Sequence, residues 1–212
     1  MAYDIEKRIL DLIIAFTGII VFLPVMLIIA VAIRLDSPGP IIADMPKRVG
    51  QFGKPFFMFK FRSMVLNAHQ KLRTDPEFAE LFKEYQANSY KLLSDPRVTR
   101  IGKITRKTSL DEFLQLFNVV QGTMSIVGPR AYFADELDRQ AEHYPKTRKL
   151  IKKALTAKPG ITGPWQVGGR SNINFSKRIS MDAEYAKRRS ILYDLFIILK
   201  TPFIVIFGKG AY

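Results

Sequence analysis

"LIIAFTGIIVFLPVMLIIAVAI", residues 12–33, decides how this chain is read. The run holds 22 residues without a charge and is closed by Asp11 and Arg34. A helix of that length is long enough to cross a bilayer. Pro24 stands almost at the midpoint. Proline removes a backbone donor and clashes with the preceding turn, so it kinks or breaks a helix. Two arrangements follow: a kinked helix that spans the membrane, or a helix–break–helix that enters and leaves on one side. Lys7 and Arg8 precede the run, and Arg34, Lys47 and Arg48 follow it. Basic residues stay on the cytoplasmic side, so these flanks favour the re-entrant form. A core helix apolar all round is odd in so small a domain. Ala30-Val31-Ala32 resembles a signal-peptide cleavage site, but the run is long for one and Arg34 follows at once.

The 212 residues allow one domain with a real core, or at most two small ones. An apolar content of 48% excludes a chain disordered by composition. The absence of cysteine excludes disulfides, cysteine-bound zinc, iron–sulfur clusters and a thiol nucleophile. Two histidines, His69 and His143, are too few for a histidine metal site and weaken any Ser-His-Asp reading; both read as surface or packing residues. No repeat or low-complexity tract is visible. The net charge is +14. Residues 1–34 carry Lys7, Arg8 and Arg34 against Asp4, Glu6 and Asp11, so the whole excess lies beyond them. Such a surface suits anionic lipid, nucleotide phosphates or nucleic acid, and charge alone does not choose.

"DSPGP", residues 36–40, reads as the turn that ends the membrane element. Gly50 and Gly53 mark a hairpin turn. "FFMFKFRSM" reads as a strand or short helix, 64–93 as helix with a break at 74–76, and "SDPRVTRIGKITRKTS" as a basic connector. A helix is expected over about 110–121, a basic amphipathic helix interrupted near Pro145 over 133–156, and helix again over 176–207. "AKPGITGPWQVGGRSN" reads as a glycine-rich loop. The apolar end "ILYDLFIILKTPFIVIF" suits the bilayer surface.

The chemistry-bearing stretch is "RKTSLDEFLQLFNVVQG", residues 106–122. Ser109 and Glu112 fit a capping box, and Asp111 suits the helix dipole. That structural reading stays open. Leu110, Phe113, Leu114 and Phe117 fall at i, i+3, i+4 and i+7, which predicts a buried stripe. Asp111, Gln115 and Asn118 share a polar face, with Arg100, Lys103, Arg106 and Lys107 just upstream. A carboxylate among cations stays ionised. It can attack phosphorus, and a second carboxylate can help hold Mg²⁺.

The chain resembles the monotopic phosphoglycosyl transferases of bacteria, the catalytic domain of undecaprenyl-phosphate sugar phosphotransferases. The blocks "KRILDLIIA", "SPGPI", "RVGQFGKPFFMFKFRSM", "DPRVTRIGKITRKTSLDE", "GTMSIVGPRAY", "KPGITGPWQVGGR" and "DLFIILKTP" carry the likeness in order along nearly the whole chain. The resemblance implies a mostly helical α+β fold with little sheet. Residues 1–35 form a re-entrant membrane helix broken at Pro24, and residues 36–212 form a compact cytoplasmic domain with surface amphipathic helices. It implies transfer of a sugar-1-phosphate from a UDP-sugar to polyprenol phosphate, with release of UMP, at the inner membrane of a bacterium. Asp111 becomes the nucleophile that carries the phosphosugar covalently, and Glu112 orients it or shares Mg²⁺ with it. Lys60, Arg62, Arg106, Arg130, Gln166, Arg170 and Asp182 match substrate-binding positions. Anionic lipids join the expected partners, nucleic acid does not, and a homodimer stays open.

Leu23, Leu114 and Ala131 stand where the family commonly has serine, proline and proline. None of these removes a reacting group. The length between "RSM" and "DPR" is similar to the hexose-1-phosphate branch, with galactose or glucose favoured. Trp165 reads as a headgroup anchor or packing residue rather than a stacking partner. The glycines of the 160–169 segment fit a phosphate loop or a plain turn equally. Lys146, Arg148, Lys149, Lys152 and Lys153 read as a solvated face toward anionic lipid. Two alternatives are a non-catalytic basic membrane-anchored binding protein and a glycosyltransferase that releases UDP.

Overall fold

The computed structural model describes residues 2–87, 90, 92, 94–169 and 173–207. Helix α1 (Ala2–Asp36) leads into a three-stranded antiparallel sheet in the order β2-β1-β4, from β1 (Arg48–Val49), β2 (Pro55–Phe56) and β4 (Tyr132–Phe133). Arg48 pairs with Phe56 on one side and Phe133 on the other. The expected hairpin turn joins β1 to β2, with the Gly50 amide donating to the Lys54 carbonyl at 2.8 Å. Helices α2 (Ala68–Thr74) and α3 (Ala79–Ala87) flank the break expected at 74–76, where Asp75 caps a 3₁₀ turn that starts at Pro76.

The expected connector instead contains α4 (Arg100–Lys107), whose N-cap Thr99 accepts from the Gly102 amide. The expected glycine loop instead forms β5 (Gly160–Thr162) and α8 (Pro164–Gly168). Strand β5 runs parallel to β3 (Ser125–Val127). Helices α6 (Ala134–His143) and α7 (Arg148–Ala154) are separated at Pro145 as expected. The stretch 176–207 divides into α9 (Phe175–Arg188) and α10 (Ile191–Phe207).

The helix expected over 110–121 is a 3₁₀ turn, Leu110–Glu112, followed by α5 (Gln115–Gln121). Ser109 takes a left-handed conformation (φ 58°) and its hydroxyl makes no capping bond, so no capping box forms. Nor is the apolar stripe the buried one. Phe117 is exposed, and Leu110, Phe113 and Leu114 lie half-buried beside α1. Asp111, Gln115 and Asn118 are buried, together with Val119. The polar face points into the protein and the apolar face toward the hydrophobic helix.

α1 itself is assigned as one helix through Pro24, rather than as two helices with a break. An apolar segment satisfies its backbone internally by being helical, which is what a lipid environment requires. Both its ends pack on the same body. At the start, the Lys7 ammonium lies 3.1 Å from Asp11 and 3.2 Å from Asp194. Asp11 accepts from the Ser125 hydroxyl and the Ile126 amide, and Asp194 accepts from the Tyr3 and Tyr185 hydroxyls. At the far end, Arg62 donates to the carbonyls of Ser37 and Pro38, and Asp36 accepts from the Ile101 amide. Between these ties Ile20 is 72% exposed, and Leu23, Leu27 and Ile28 are exposed with it. Leu192, Leu199 and Phe203 of α10 extend the apolar surface.

The parallel pair β3–β5 sits in the core with backbones in close contact. A Cβ on Gly128 would lie 2.2 Å from the Lys158 carbonyl oxygen, and one on Gly160 would lie 2.0 Å from the Gly128 nitrogen. Backbone cannot retreat as a side chain can. Gly160→Ala is therefore expected to destabilise the fold by about 1–3 kcal/mol, a fall in Tm of several degrees. Gly18→Ala, whose Cβ meets only a Leu116 methyl at 3.1 Å, should be neutral or stabilising because alanine favours helix. Thermal unfolding of both variants in lipid nanodiscs checks this, and equal losses would contradict it.

Candidate active site

The extended segment 57–64 crosses the buried face of α5. Asn118 fixes it there: its amide oxygen accepts from the Phe59 N–H at 2.8 Å, and its amide nitrogen donates to the Phe57 carbonyl at 2.7 Å. The Phe61 N–H donates to the Asp111 carbonyl at 2.9 Å. Lys60 is thereby held over the acid pair. Its ammonium lies 2.8 Å from Asp111 Oδ2 and 3.0 Å from Glu112 Oε1. Asp111 is buried, whereas Glu112 is partly exposed.

Burial, helped by the like charge of Glu112, pushes the Asp111 carboxyl above its ordinary range and outweighs the opposing pull of Lys60 and Arg106. Burial acts in the same sense on Glu112, but there Lys60, Arg130 and Arg48 win and the net shift is downward. Burial lowers the Lys60 ammonium, yet the two carboxylates raise it overall, so it stays charged. The sequence expectation weighed only the cations; the upward push on Asp111 comes from a desolvation that spacing does not reveal.

A cleft of about 1070 Å³ opens over these residues. Lys60, Arg106, Arg48, Arg130, Arg178 and Gln166 line its polar side. Ile14, Gly18 and Phe22 of α1, with Phe113, Leu116 and Ile204, line an apolar side continuous with it. The close β3–β5 pairing sets Arg130 and Gln166 at the cleft from two distant blocks of sequence. One guanidinium nitrogen of Arg106 and the side-chain oxygen of Gln166 are buried without hydrogen-bond partners among the described residues.

Two residues expected to bind substrate are engaged within the protein itself. Arg62 reaches the cleft wall, but its guanidinium is occupied by carbonyls at the end of α1, a helix-capping role. Asp182 is fully buried and does not line the cleft; it accepts from the Arg130 amide at 3.2 Å and the Tyr132 hydroxyl at 2.8 Å, and so holds the loop that carries Arg130. Arg170 lies outside the described residues. Trp165 is buried in the cleft wall, with the guanidinium carbons of Arg130 and Arg178 each 5.2 Å from its ring, and is no headgroup anchor. The basic positions of α7 are exposed, as expected.

Sequence reasoning missed Arg48, Arg178 and the pinning role of Asn118. For Arg178 a signal existed: it sits four residues before Asp182 and shares the apolar face of Phe175, Ile179 and Ala183. Arg48 carried none, since only strand pairing brings it to Phe133.

Asp111 and Glu112 offer two hard oxygen donors, and no group of three or more metal-binding side chains occurs among the described residues. That donor set fits Mg²⁺, which keeps waters and takes substrate phosphates besides one or two carboxylates.

Burial also pushes Asp182 up to about 7. Its contribution to stability is full below the ordinary carboxylate range and is lost as pH rises through 7. His69, pushed down to about 4 by burial, gives the opposite slope at acidic pH, so the informative quantity is the difference between native and variant. Asp182→Asn is expected to gain on the native Tm as pH rises from about 5 to about 7 and to hold that gain at pH 8. A constant difference across that interval would contradict the buried, proton-sharing role of Asp182.

The family described as "Bacterial sugar transferase" matches residues 2–208. An uncharacterized sugar transferase of Haemophilus influenzae is 43% identical over 98% of this chain and 42% of its own length. The undecaprenyl-phosphate galactose phosphotransferase of Salmonella typhimurium is 38% identical over 97% of this chain and 41% of its own. The UDP-glucose:undecaprenyl-phosphate glucose-1-phosphate transferase of Escherichia coli is 36% identical over 97% and 41%. The chain spans about two fifths of the length of these relatives. With the match running along the whole described fold and through the Lys60–Asp111–Glu112 cluster, the chain belongs to the bacterial sugar transferase family.

Proposed function

We propose that this chain transfers a sugar-1-phosphate from a UDP-sugar to a polyprenol phosphate on the cytoplasmic face of a bacterial inner membrane, as the first membrane step of surface-glycan synthesis. The observation that carries the reading is one cleft with two unlike walls. Buried Asp111, partly exposed Glu112 and their lysine share this cleft with arginines and with apolar residues of helix α1. A water-soluble diphosphate and a lipid phosphate can meet only in such a place. The ties from both ends of α1 to one body support residues 1–35 as a re-entrant anchor and residues 36–212 as the cytoplasmic domain.

In this reading Asp111 attacks the β-phosphorus of the UDP-sugar. Its oxygen forms the new bond, the bond to the α-phosphate oxygen breaks, and UMP leaves with the electron pair. A phosphate oxygen of the polyprenol phosphate then attacks the same phosphorus and returns Asp111 as carboxylate. Burial makes Asp111 more basic and less solvated, hence more nucleophilic, while Lys60 and Arg106 oppose its protonation. Arg106 and Arg130 neutralise the transferring phosphates. Mg²⁺, held by Asp111 and Glu112, would add charge neutralisation at the diphosphate. The sugar is a hexose, galactose or glucose, following the names of the relatives.

Intact-protein mass after incubation with single UDP-sugars and Mg²⁺, without polyprenol phosphate, tests the reading. The native protein is expected to gain one hexose phosphate and Asp111→Asn to gain nothing. With acceptor present, UMP rather than UDP should be released, Asp111→Asn should lose at least about a thousandfold in turnover, and chelation of Mg²⁺ should stop it reversibly. No adduct with any UDP-sugar and no UMP release would leave a non-catalytic membrane-anchored binding protein. Asn118→Ala frees the segment that carries Lys60; a misplacement of about 1 Å costs on the order of a hundredfold in rate. Its adduct should form that much more slowly, with UDP-sugar affinity little changed.

A further inference from the structure

Three guanidinium groups meet in the cleft wall beside the dyad. Arg48 and Arg178 are each more than nine-tenths buried, and Arg130 is partly buried. Arg48 donates to the Ala131 carbonyl at 3.1 Å and lies 3.3 Å over the Phe133 ring. Arg178 donates to the Ile173 carbonyl at 3.4 Å; its Nη1 stands 3.8 Å from Glu136, beyond hydrogen-bond range. Arg48 Nε, Arg130 Nε, and Arg178 Nε and Nη1 have no hydrogen-bond partner among the described residues. Buried bare donors are costly unless something accepts from them.

The charges are equally unbalanced. After burial itself, Arg130 is the largest influence lowering both Arg48 and Arg178. The opposing acids are Glu136 for both arginines, with Glu112 also acting on Arg48 and Asp182 on Arg178; Glu112 is already engaged by Lys60, and Asp182 carries only part of a charge at neutral pH. Arg130 and Arg48 also pull on Glu112, so the cluster is electrically coupled to the dyad.

We propose that Arg48, Arg130 and Arg178 form an anion subsite that takes the phosphate of the nucleoside monophosphate as it leaves, and holds it while the sugar phosphate rests on Asp111. This rests on the transferase reading above. Once the β-phosphorus is bonded to aspartate, the leaving group is a compact dianion. Donors already in place neutralise it without reorganisation, which lowers the barrier to its departure. Arg178 acts here as a substrate-binding residue that sequence reasoning missed.

The single tryptophan supplies the readout, because Trp165 lies against two of the three arginines. Asp111→Asn protein in nanodiscs, which cannot turn over, is titrated with UMP, uridine, inorganic phosphate and farnesyl phosphate while Trp165 fluorescence is followed. UMP should give a saturable change, inorganic phosphate a weaker one at higher concentration, and uridine none. Arg178→Gln in that background should weaken UMP at least tenfold, and Arg178→Lys should recover part of the loss. If Arg178→Gln loses its fold by circular dichroism, Arg130→Gln, on a partly exposed side chain, carries the same expectation. An unchanged UMP affinity in the folded variant overturns the subsite. So does a fluorescence response that follows farnesyl phosphate and not UMP, which assigns the arginines to the lipid acceptor. A native protein that binds UMP in this way but forms no phosphosugar adduct overturns the transferase reading and leaves the subsite standing.

Discussion

The Lys60 ammonium between Asp111 and Glu112 is the contact on which the rest of the structure depends. A carboxylate as buried as Asp111 is tolerated only with a partner, because the desolvation penalty of an isolated charge is several kcal/mol. That partner comes from an extended segment without regular structure of its own. The segment keeps its register through Asn118 and through the Phe61–Asp111 backbone bond. Helix α5 is thus less a reactive helix than a rail, presenting Asn118 to the lysine-bearing strand and Gln115 to the cleft. The acid pair sits in the tight turn before it, redirected by the left-handed Ser109.

The same logic runs through the anchor. A helix with so little polar surface has few ways to register on a polar body. Here each end uses buried charge: Lys7 and Asp11 against Asp194 and β3, and Asp36 and Arg62 at the far end. The Tyr185 hydroxyl bonds both Asp194 and the Val127 carbonyl. The network that seats α1 is therefore one hydrogen bond away from the strand leading to Arg130. The seat of α1 and the loop that carries Arg130 share a foundation, which explains why apolar and basic residues line one cleft.

Much of this was legible in the residues. The hydrophobic run, the hairpin at Gly50–Gly53, the breaks near Pro76 and Pro145, and the Asp111–Glu112 pair with Lys60 and Arg130 all follow from composition, breakers and blocks of resemblance. The failures share one cause. Leu110, Phe113, Leu114 and Phe117 have the periodicity of a buried stripe, yet the rule assumes that apolar means interior. Beside the apolar helix α1 the polar face is the interior one, and Asp111, Gln115 and Asn118 occupy it. Ser109 and Glu112 satisfy the spacing of a capping box, but spacing carries no φ angle. The segment from 158 to 169 looked like a loop because its glycines are read locally as flexibility. For Gly160 and Gly163 the reason is tertiary: two backbones in contact, with no room for a Cβ.

The net charge of +14 resolves into two populations that sequence counting merges. Lys146, Arg148, Lys149, Lys152 and Lys153 are exposed and solvated, where each contributes to a diffuse field that salt screens within about 10 Å. Arg48, Arg178 and Lys60 lie inside, where screening is weak and each charge must be answered at close range. Lys60 is answered by the dyad. Arg48 and Arg178 are answered by carbonyls, aromatic faces, a Glu136 beyond hydrogen-bond range and a partly protonated Asp182, which leaves donors bare. A fold selected for stability alone would have no reason to bury guanidinium groups whose donors no acid accepts from. The imbalance makes sense if the missing negative charge arrives with a substrate and leaves with a product.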